Sequence, residues 1–266
     1  MYSSLHSISL TNYIDMILVP QGIEYKVVCE GFREVKQFSP KIKIIQIPAG
    51  LLPFKSYLEQ WQQIHKFVDH PPKGILLMGL GGSLSPKYQV GDKIIYQKCC
   101  LISNNTLPLL WQTCDINLGN LVYHYLNKKI IRGKGVTSDH IISSAEEKWQ
   151  LGQRYQADVV DMEGIPLLEF CGYFKIPVAM IRVISDSCQQ NLPNLTPAFR
   201  KDGSFNPWIL TFQMSKNPLS SIHLIRSSLK GLKTLKQVSK DLATAITTSV
   251  IETQFYSKET NDRNIS

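Results

Sequence analysis

The chain has 266 residues, of which 43% are hydrophobic and 19% are charged, and its formal net charge is +8. This composition excludes a disordered chain, because it supplies enough apolar side chains for a substantial core. The length allows one or two domains, and the positive charge suits nucleic acid, anionic lipid or an anionic substrate without selecting among them.

Apolar patterns predict strands that alternate with helices along the first half of the chain. A helix is predicted at 55–70, where apolar residues recur at helical spacing. Such alternation is typical of an α/β layer fold with a mostly parallel sheet. The predicted strands lie at 13–20, 41–48, 73–82 and 91–102, with at least one more within 127–139.

A strand–helix–strand unit follows. The segment "ADVVDM" (157–162) reads as a strand, "IPLLEFCGYF" (165–174) as a helix, and "PVAMIRVISD" (177–186) as a second strand. We interpret the unit as a βαβ crossover with parallel strands. It would bring Glu163 and Asp186 to one sheet edge, where open parallel sheets bind ligands.

The C-terminal third is predicted to be irregular after residue 186, then helical at about 217–251, and flexible at 255–266. No strong linker interrupts the chain, so we expect one domain over 1–254. The helix carries basic residues off its apolar stripe, which favours packing on the core with a solvated basic face. The alternative is weak contact with an anionic membrane surface. These basic residues are Arg226, Lys230, Lys233, Lys236 and Lys240.

Several classes of protein are not expected. The six cysteines form no C-x-x-C pair and show no zinc spacing, which predicts reduced thiols in a cytoplasmic protein and no metal site. The N-terminus lacks the features of a signal peptide, and no apolar run reaches the roughly 18 residues of a membrane span. Nucleic-acid binding is not expected, because no binding motif accompanies the positive charge.

A glycine-rich turn, "GLGGSL" (79–84), closes one predicted strand. Its glycines would let backbone N–H groups approach an anion or a sugar. Leu84 stands where a dinucleotide fingerprint needs glycine. The turn taken alone therefore leaves packing and ligand binding equally open.

Four motifs together resemble the nucleoside phosphorylase/nucleosidase family over roughly 17–186. The resemblance implies a single three-layer α/β/α domain that cleaves the N-glycosidic bond of a purine nucleoside, usually as a homo-oligomer. Residues 185–237 also look like the end of hopanoid-associated phosphorylases, which remove adenine from adenosylhopane. The two resemblances together imply adenine release from a 5′-substituted adenosine such as adenosylhopane, methylthioadenosine or S-adenosylhomocysteine. In chain order, the motifs are "GLGGSLSPKYQVGD" (79–92), "GVTSDHI" (135–141), "ADVVDMEG" (157–164) and "RVISD" (182–186).

The resemblance also implies roles for individual residues. Asp186 would protonate the purine leaving group, because a carboxylic acid in a dry crevice can have its pKa raised. Ser185 would orient Asp186, and Met162 would pack near the sugar. Glu163 would hold the ribose hydroxyls and stabilise the ribosyl cation.

The identity of the nucleophile depends on the first strand and the glycine-rich turn. Glu24 stands where relatives place either an acid that activates water or an arginine that holds phosphate. Leu80, between Gly79 and Gly81, replaces a small polar residue beside the nucleophile. Both features favour water, with phosphate as the alternative co-substrate and no other cofactor implied. Asp161 either points toward the same site or caps the next helix.

Three functional hypotheses follow. The first is a nucleosidase, the second a phosphate-dependent phosphorylase, and the third a non-catalytic nucleoside-binding protein on the same fold. Glu163 and Asp186 argue against the third, because binding alone needs no purine acid. Arg132 and Arg182 are each candidates for an anion contact, although most arginines in α/β proteins are surface or structural.

Overall fold

The computed structural model describes residues 10–35, 42–64, 71–102, 110–193, 202 and 218–263. Within these residues, eight strands form one mixed sheet and six α-helices pack around it. The strands are β1 (Met16–Pro20), β2 (Lys43–Ile47), β3 (Ile75–Ser83), β4 (Lys93–Leu101), β5 (Gln112–Thr113), β6 (Ile131–Thr137), β7 (Val159–Asp161) and β8 (Val178–Asp186). The helices are α1 (Ile23–Arg33), α2 (Leu51–Ile64), α3 (Ile116–Tyr125), α4 (Ala145–Tyr155), α5 (Gly164–Phe174) and α6 (Pro218–Arg263).

The sheet closes on itself. Its order is β2-β1-β3-β7-β6-β4-β5, and β8 pairs with both β3 and β4, so β3, β7, β6, β4 and β8 form a ring. Five of the strand pairs are parallel (β1–β2, β1–β3, β3–β8, β4–β6 and β6–β7) and three are antiparallel. The predicted α/β fold with a mostly parallel mixed sheet is therefore confirmed.

The predicted βαβ crossover is wrong. β7 pairs antiparallel with the end of β3, whereas β8 pairs parallel with β3, so β7 and β8 run in opposite directions and do not pair. The crossover rule applies to parallel strands within one open sheet. Here α5 instead connects two strands on opposite sides of β3 in the ring.

Helices cover both faces of the sheet and make three layers. One core cluster joins the apolar faces of α1, α3 and α6, with Val28, Leu121 and Leu235 among its buried members. A second joins α2 and α5, with Phe54 and Leu168. Full burial of each such side chain contributes about 1.5–3 kcal/mol.

The last helix is longer than predicted. α6 continues to Arg263, through the region where the sequence suggested a flexible tail from residue 255. The predicted irregular connection after residue 193 lies almost wholly outside the described residues. No helix among the described residues has the length and apolarity needed to cross a membrane. All six cysteines are free thiols, and only Cys29 is not buried.

α6 packs tightly against α1. A β-carbon at Gly31 of α1 would lie 2.5 Å from the carbonyl oxygen of Lys236, so glycine lets the two backbones meet. At the rim, Lys236 pairs with Glu34 at 2.8 Å and with Glu30 at 3.1 Å, and Lys240 pairs with Glu34 at 3.1 Å. These exposed pairs add little stability, but they neutralise part of the basic face of the helix.

Candidate active site

A fully buried arginine in β8 organises an acidic cluster. Arg182 donates from Nε to Oδ2 of Asp161 and from Nη2 to Oε2 of Glu163, both at 3.1 Å. Burial alone would lower the pKa of the guanidinium, but the two carboxylates outweigh that effect and raise the pKa. Arg182 therefore stays cationic and holds Asp161 and Glu163 in place.

Asp161 caps the helix that follows it. Its Oδ1 accepts hydrogen bonds from the Thr137 hydroxyl at 2.7 Å and from the backbone N–H of Gly164 at 3.1 Å. Thr137 Oγ1 in turn accepts from the N–H of Ile165 at 3.0 Å. The first donors of α5 are thus satisfied, as a helix start requires. The other oxygen of Asp161 binds Arg182. Asp161 therefore links the start of α5 to the arginine that holds Glu163.

Glu163 is the acidic residue that this arrangement positions. It is 5% exposed, and its Oε1 accepts from the backbone N–H of Gly50 at 2.7 Å. Gly50 has a φ of 96°, which only glycine adopts readily, and this conformation belongs to the turn that leads into α2. Burial raises the pKa of Glu163, and the charge of Arg182 opposes that rise.

Glu24 reaches the same cluster from the first turn of α1. Its Oε2 accepts from the backbone N–H of Leu80 at 2.7 Å. Burial, followed by the charge of Glu163, raises the pKa of Glu24 from 4.5 to about 7. At neutral pH this carboxyl group therefore exchanges its proton readily, as a general base requires.

Gly79 creates the gap between Glu24 and the arginine. A β-carbon at this position would collide with Nη1 of Arg182 and would lie 2.7 Å from Oε2 of Glu24. Among the described residues, Nη1 of Arg182 has no hydrogen-bond partner. The free Nη1 of Arg182 and Oε2 of Glu24 thus both lie close to this glycine of β3.

A second polar group lies further along β3. A β-carbon at Gly82 would be 3.1 Å from Oδ2 of Asp186, which is 6% exposed at the end of β8. Oδ1 of Asp186 accepts from the Ser185 hydroxyl at 2.7 Å. Oδ2 accepts from Nζ of Lys148 at 2.5 Å. Arg182 and Asp186 lie four residues apart on one strand, about 13 Å.

Lys148 was not identified from the sequence. It is fully buried in α4, where an N-cap bond from the backbone N–H of Glu147 to the Ser144 hydroxyl (3.3 Å) starts the helix. The sequence did contain one indication of this buried lysine, namely its position on the helix. Lys148 lies three and seven residues before Leu151 and Tyr155, so a lysine shares the buried face of an amphipathic helix.

The side chain of Leu80 and the small size of Gly81 serve packing in the structure. Leu80 is partly buried, with Cδ2 against Gly231 of α6, and Gly81 allows close approach of the Val159 side chain. Met162 is partly buried between the two acids of its motif. Among the described residues, no group of three or more His, Cys, Asp or Glu side chains could hold a metal ion.

Arg132 lies apart from the cluster. Its Nη2 donates to Asn120 at 2.8 Å, and its guanidinium stacks 4.4 Å from the ring centroid of Tyr123. It borders a cavity of about 350 Å³ between β4 and α3. None of the acidic residues assigned to the candidate active site lines that cavity. Arg132 therefore does not belong to the candidate active site.

Comparison with known proteins gives the family of the chain. Residues 57–202 match the model of the phosphorylase superfamily, which is more than half of the sequence. The chain belongs to this superfamily.

Individual relatives are more distant. A 5′-methylthioadenosine/S-adenosylhomocysteine nucleosidase of Baumannia cicadellinicola is 28% identical over 127 residues, which is 42% of this chain and 56% of that protein. An aminodeoxyfutalosine nucleosidase of Campylobacter jejuni is 26% identical over 128 residues, 43% and 56% of the two chains. The chain thus spans about half the length of the curated relatives it matches.

Solved structures share the fold over a greater length. The 5′-methylthioadenosine/S-adenosylhomocysteine nucleosidase of Campylobacter jejuni superposes with a TM-score of 0.57 at 16% identity, covering 85% of this chain and 99% of that one. The futalosine hydrolase of Helicobacter pylori gives a TM-score of 0.54 at 16% identity, with 82% and 97% covered. At these identities the likeness shows the fold alone.

Proposed function

We propose that this protein cleaves the N-glycosidic bond of a purine nucleoside with water as the nucleophile, and that it releases adenine from a 5′-substituted adenosine. The observation that carries the proposal is that Glu24 and the free Nη1 of Arg182 both lie close to Gly79. A water molecule there would donate to the carboxylate and accept from the guanidinium, an orientation suited to deprotonation.

The charge of the cluster favours water over phosphate. Three carboxylates (Glu24, Asp161 and Glu163) surround one guanidinium, which gives a formal charge of −2 when all are ionised. A phosphate dianion would be repelled at this site, and the single free guanidinium nitrogen cannot bind it bidentately. The phosphate-dependent reaction is the alternative that the assay below tests.

The two polar groups along β3 suit the two halves of a nucleoside. Glu163, fixed by Arg182 and Gly50, would accept from the ribose hydroxyls and stabilise the ribosyl cation, with Met162 against the sugar. Asp186, oriented by Ser185, would bind the purine and pass it a proton.

The names of the relatives support an adenosine with a modified 5′ position. The Baumannia cicadellinicola relative is named a nucleosidase of 5′-methylthioadenosine and S-adenosylhomocysteine, and the Campylobacter jejuni relative is also named a nucleosidase. We propose methylthioadenosine, S-adenosylhomocysteine and an adenosyl-lipid such as adenosylhopane as the substrates to test. We also propose that the protein is a cytoplasmic homo-oligomer. Light scattering after size-exclusion chromatography would measure its oligomeric state.

The test is adenine release from these three nucleosides, with and without phosphate. Hydrolysis predicts the same rate in both buffers and the free 5′-substituted ribose as the sugar product. Phosphate dependence with the 1-phosphate of that 5′-substituted ribose as product would favour the phosphorylase. Binding of a nucleoside without adenine release would favour the non-catalytic hypothesis and refute ours.

A membrane-surface contact is a second candidate function, for one region of α6. Three apolar side chains on one face of this helix are solvent-exposed, Ile222 at 46%, Ile225 at 45% and Leu229 at 60%. Exposed basic residues follow on the same helix, which is the composition of an interfacial helix. These are Arg226, Lys230 and Lys233.

Vesicle sedimentation tests this contact. We expect salt-sensitive binding to vesicles that contain phosphatidylserine, and loss of binding in Leu229→Ser. The control is Lys240→Ser, because Lys240 already pairs with Glu34. Equal partitioning with and without anionic lipid would refute the contact.

A further inference from the structure

The environment of Lys148 defines the protonation state of the pair it forms with Asp186. Three oxygen atoms surround its Nζ: Oδ2 of Asp186 at 2.5 Å, the carbonyl of Gln190 at 3.1 Å and the carbonyl of Ser187 at 3.2 Å. An ammonium group has three N–H donors, whereas a neutral amine has only two. Three acceptors around one nitrogen therefore identify Lys148 as an ammonium.

The opposite conclusion holds for Asp186. Both of its oxygens accept hydrogen bonds, one from Ser185 and one from Lys148. Donors on both oxygens, one of them cationic, favour the carboxylate over the carboxylic acid. A carboxylate has no proton to give, although the departing purine needs one.

We infer that Lys148 holds the proton that Asp186 passes to the leaving purine. This inference rests on the proposed nucleoside cleavage. As the C1′–N9 bond breaks, its electron pair moves onto the purine and raises the basicity of the ring. Asp186 takes a proton from the Lys148 ammonium and passes it to a purine ring nitrogen, so Asp186 ends as a carboxylate again and Lys148 becomes a neutral amine. Solvent reprotonates Lys148 after the base departs.

A purely structural role for Lys148 is the competing explanation. The lysine ties α4 to the chain after β8, because two of its three acceptors are the carbonyls of Ser187 and Gln190. It also neutralises a carboxylate that is almost fully buried. Loss of either function would reduce activity toward every substrate alike, whatever the leaving group.

Dependence on the leaving group separates the two roles. A fluorine at C2 of adenine makes the base a better leaving group and lowers the basicity of its ring nitrogens, so these effects offset each other when a proton is supplied. When no proton is delivered to the purine, only the better leaving ability of 2-fluoroadenine matters, and the analogue is then cleaved faster than the adenine substrate. The substrate pair is the adenosine derivative that the wild type cleaves and its 2-fluoroadenine analogue.

The variants separate the positive charge of Lys148 from its ability to give up a proton. Lys148→Met removes the charge and the proton. Lys148→Arg keeps a cation with several N–H donors, but this cation does not give up its proton in proteins. Lys148→Gln retains two N–H donors and serves if the bulkier or apolar side chain prevents folding, which thermal unfolding by circular dichroism monitors. The control is Lys55→Met, because Lys55 is exposed on α2.

We expect the Lys148 variants to lose about 100-fold or more in kcat on the adenine substrate, as for loss of general acid catalysis. On the 2-fluoroadenine analogue we expect a loss at least about tenfold smaller. Equal losses on both substrates, or wild-type activity in Lys148→Arg, would overturn the inference and leave the proposed function intact. Absence of cleavage by the wild type would instead refute the proposed function.

Discussion

Replacement of Glu24 by glutamine tests the assignment of the general base. The amide keeps an oxygen that can accept from the Leu80 N–H, but it cannot take a proton from water. Because burial raises the pKa of Glu24 to about 7, the wild-type kcat/KM should rise with pH until about 7 and then level off. The variant should lose about 10²–10⁴-fold in kcat/KM, equivalent to about 3–5 kcal/mol of transition-state stabilisation, and it should lose this pH dependence.

The same substitution predicts a change in stability. The folded pKa of about 7 lies above the reference value of 4.5, so ionising Glu24 disfavours the folded state. This penalty is absent below pH 4.5, grows between pH 4.5 and 7, and reaches an upper value of about 3 kcal/mol. The free energy of unfolding of Glu24→Gln relative to the wild type should therefore increase over this range.

Adenine release across pH 5–9 and urea unfolding at pH 5 and pH 8 are the two assays. The control is Glu59→Gln, because Glu59 is exposed on α2 and should leave both measurements unchanged. A Glu24→Gln variant that keeps the transition near pH 7, or loses less than about tenfold in kcat/KM, would refute Glu24 as the base.

Three further predictions concern the support of the site. Gly79→Ala should abolish activity and cost about 1–3 kcal/mol of stability in urea unfolding, because the new methyl group collides with Arg182. The control is Gly119→Ala, which should be neutral or stabilising because no atom lies within 4 Å of an added β-carbon. Similar losses in both variants would contradict this reasoning. Arg182→Met should cost about 3–5 kcal/mol, since it leaves buried carboxylates uncompensated, and wild-type thermal stability would show that they are not charged. Thr137→Val should cost about 1–3 kcal/mol by removing a hydroxyl that bonds both Asp161 and α5, and an unchanged urea midpoint would be inconsistent with that network.

The sequence predicted β3 and β8 well because each is a buried apolar run with clear ends. Both strands were located to within about two residues. Glu163 and Asp186 do follow or end a strand, but the prediction that a crossover brings them to one sheet edge is wrong, because β7 and β8 run in opposite directions. The direction of β7 was not predictable. Its three residues carry no signal for which neighbour they pair with, and closure of a sheet into a ring depends on contacts distant in sequence.

The support of the site was only partly visible in the sequence. Asp161 was read either as a site residue or as a helix cap, and it is a cap that also binds Arg182. Arg182 was a weak candidate for anion binding, because sequence alone does not show that two carboxylates surround it. Lys148 was missed because its partner, Asp186, lies 38 residues away. Local pattern reveals a lysine on a buried helix face, but only tertiary structure supplies its counter-charge.

The contact between α1 and α6 has a consequence for inhibition. Glu24 lies in the first turn of α1, whose position is fixed by the close approach of Gly31 to the backbone of α6. A small molecule that wedged the two helices apart would draw Glu24 away from Leu80 without occupying the nucleoside site. Such a compound would lower kcat while leaving substrate affinity unchanged, so it would act as a noncompetitive inhibitor that high substrate concentrations do not overcome.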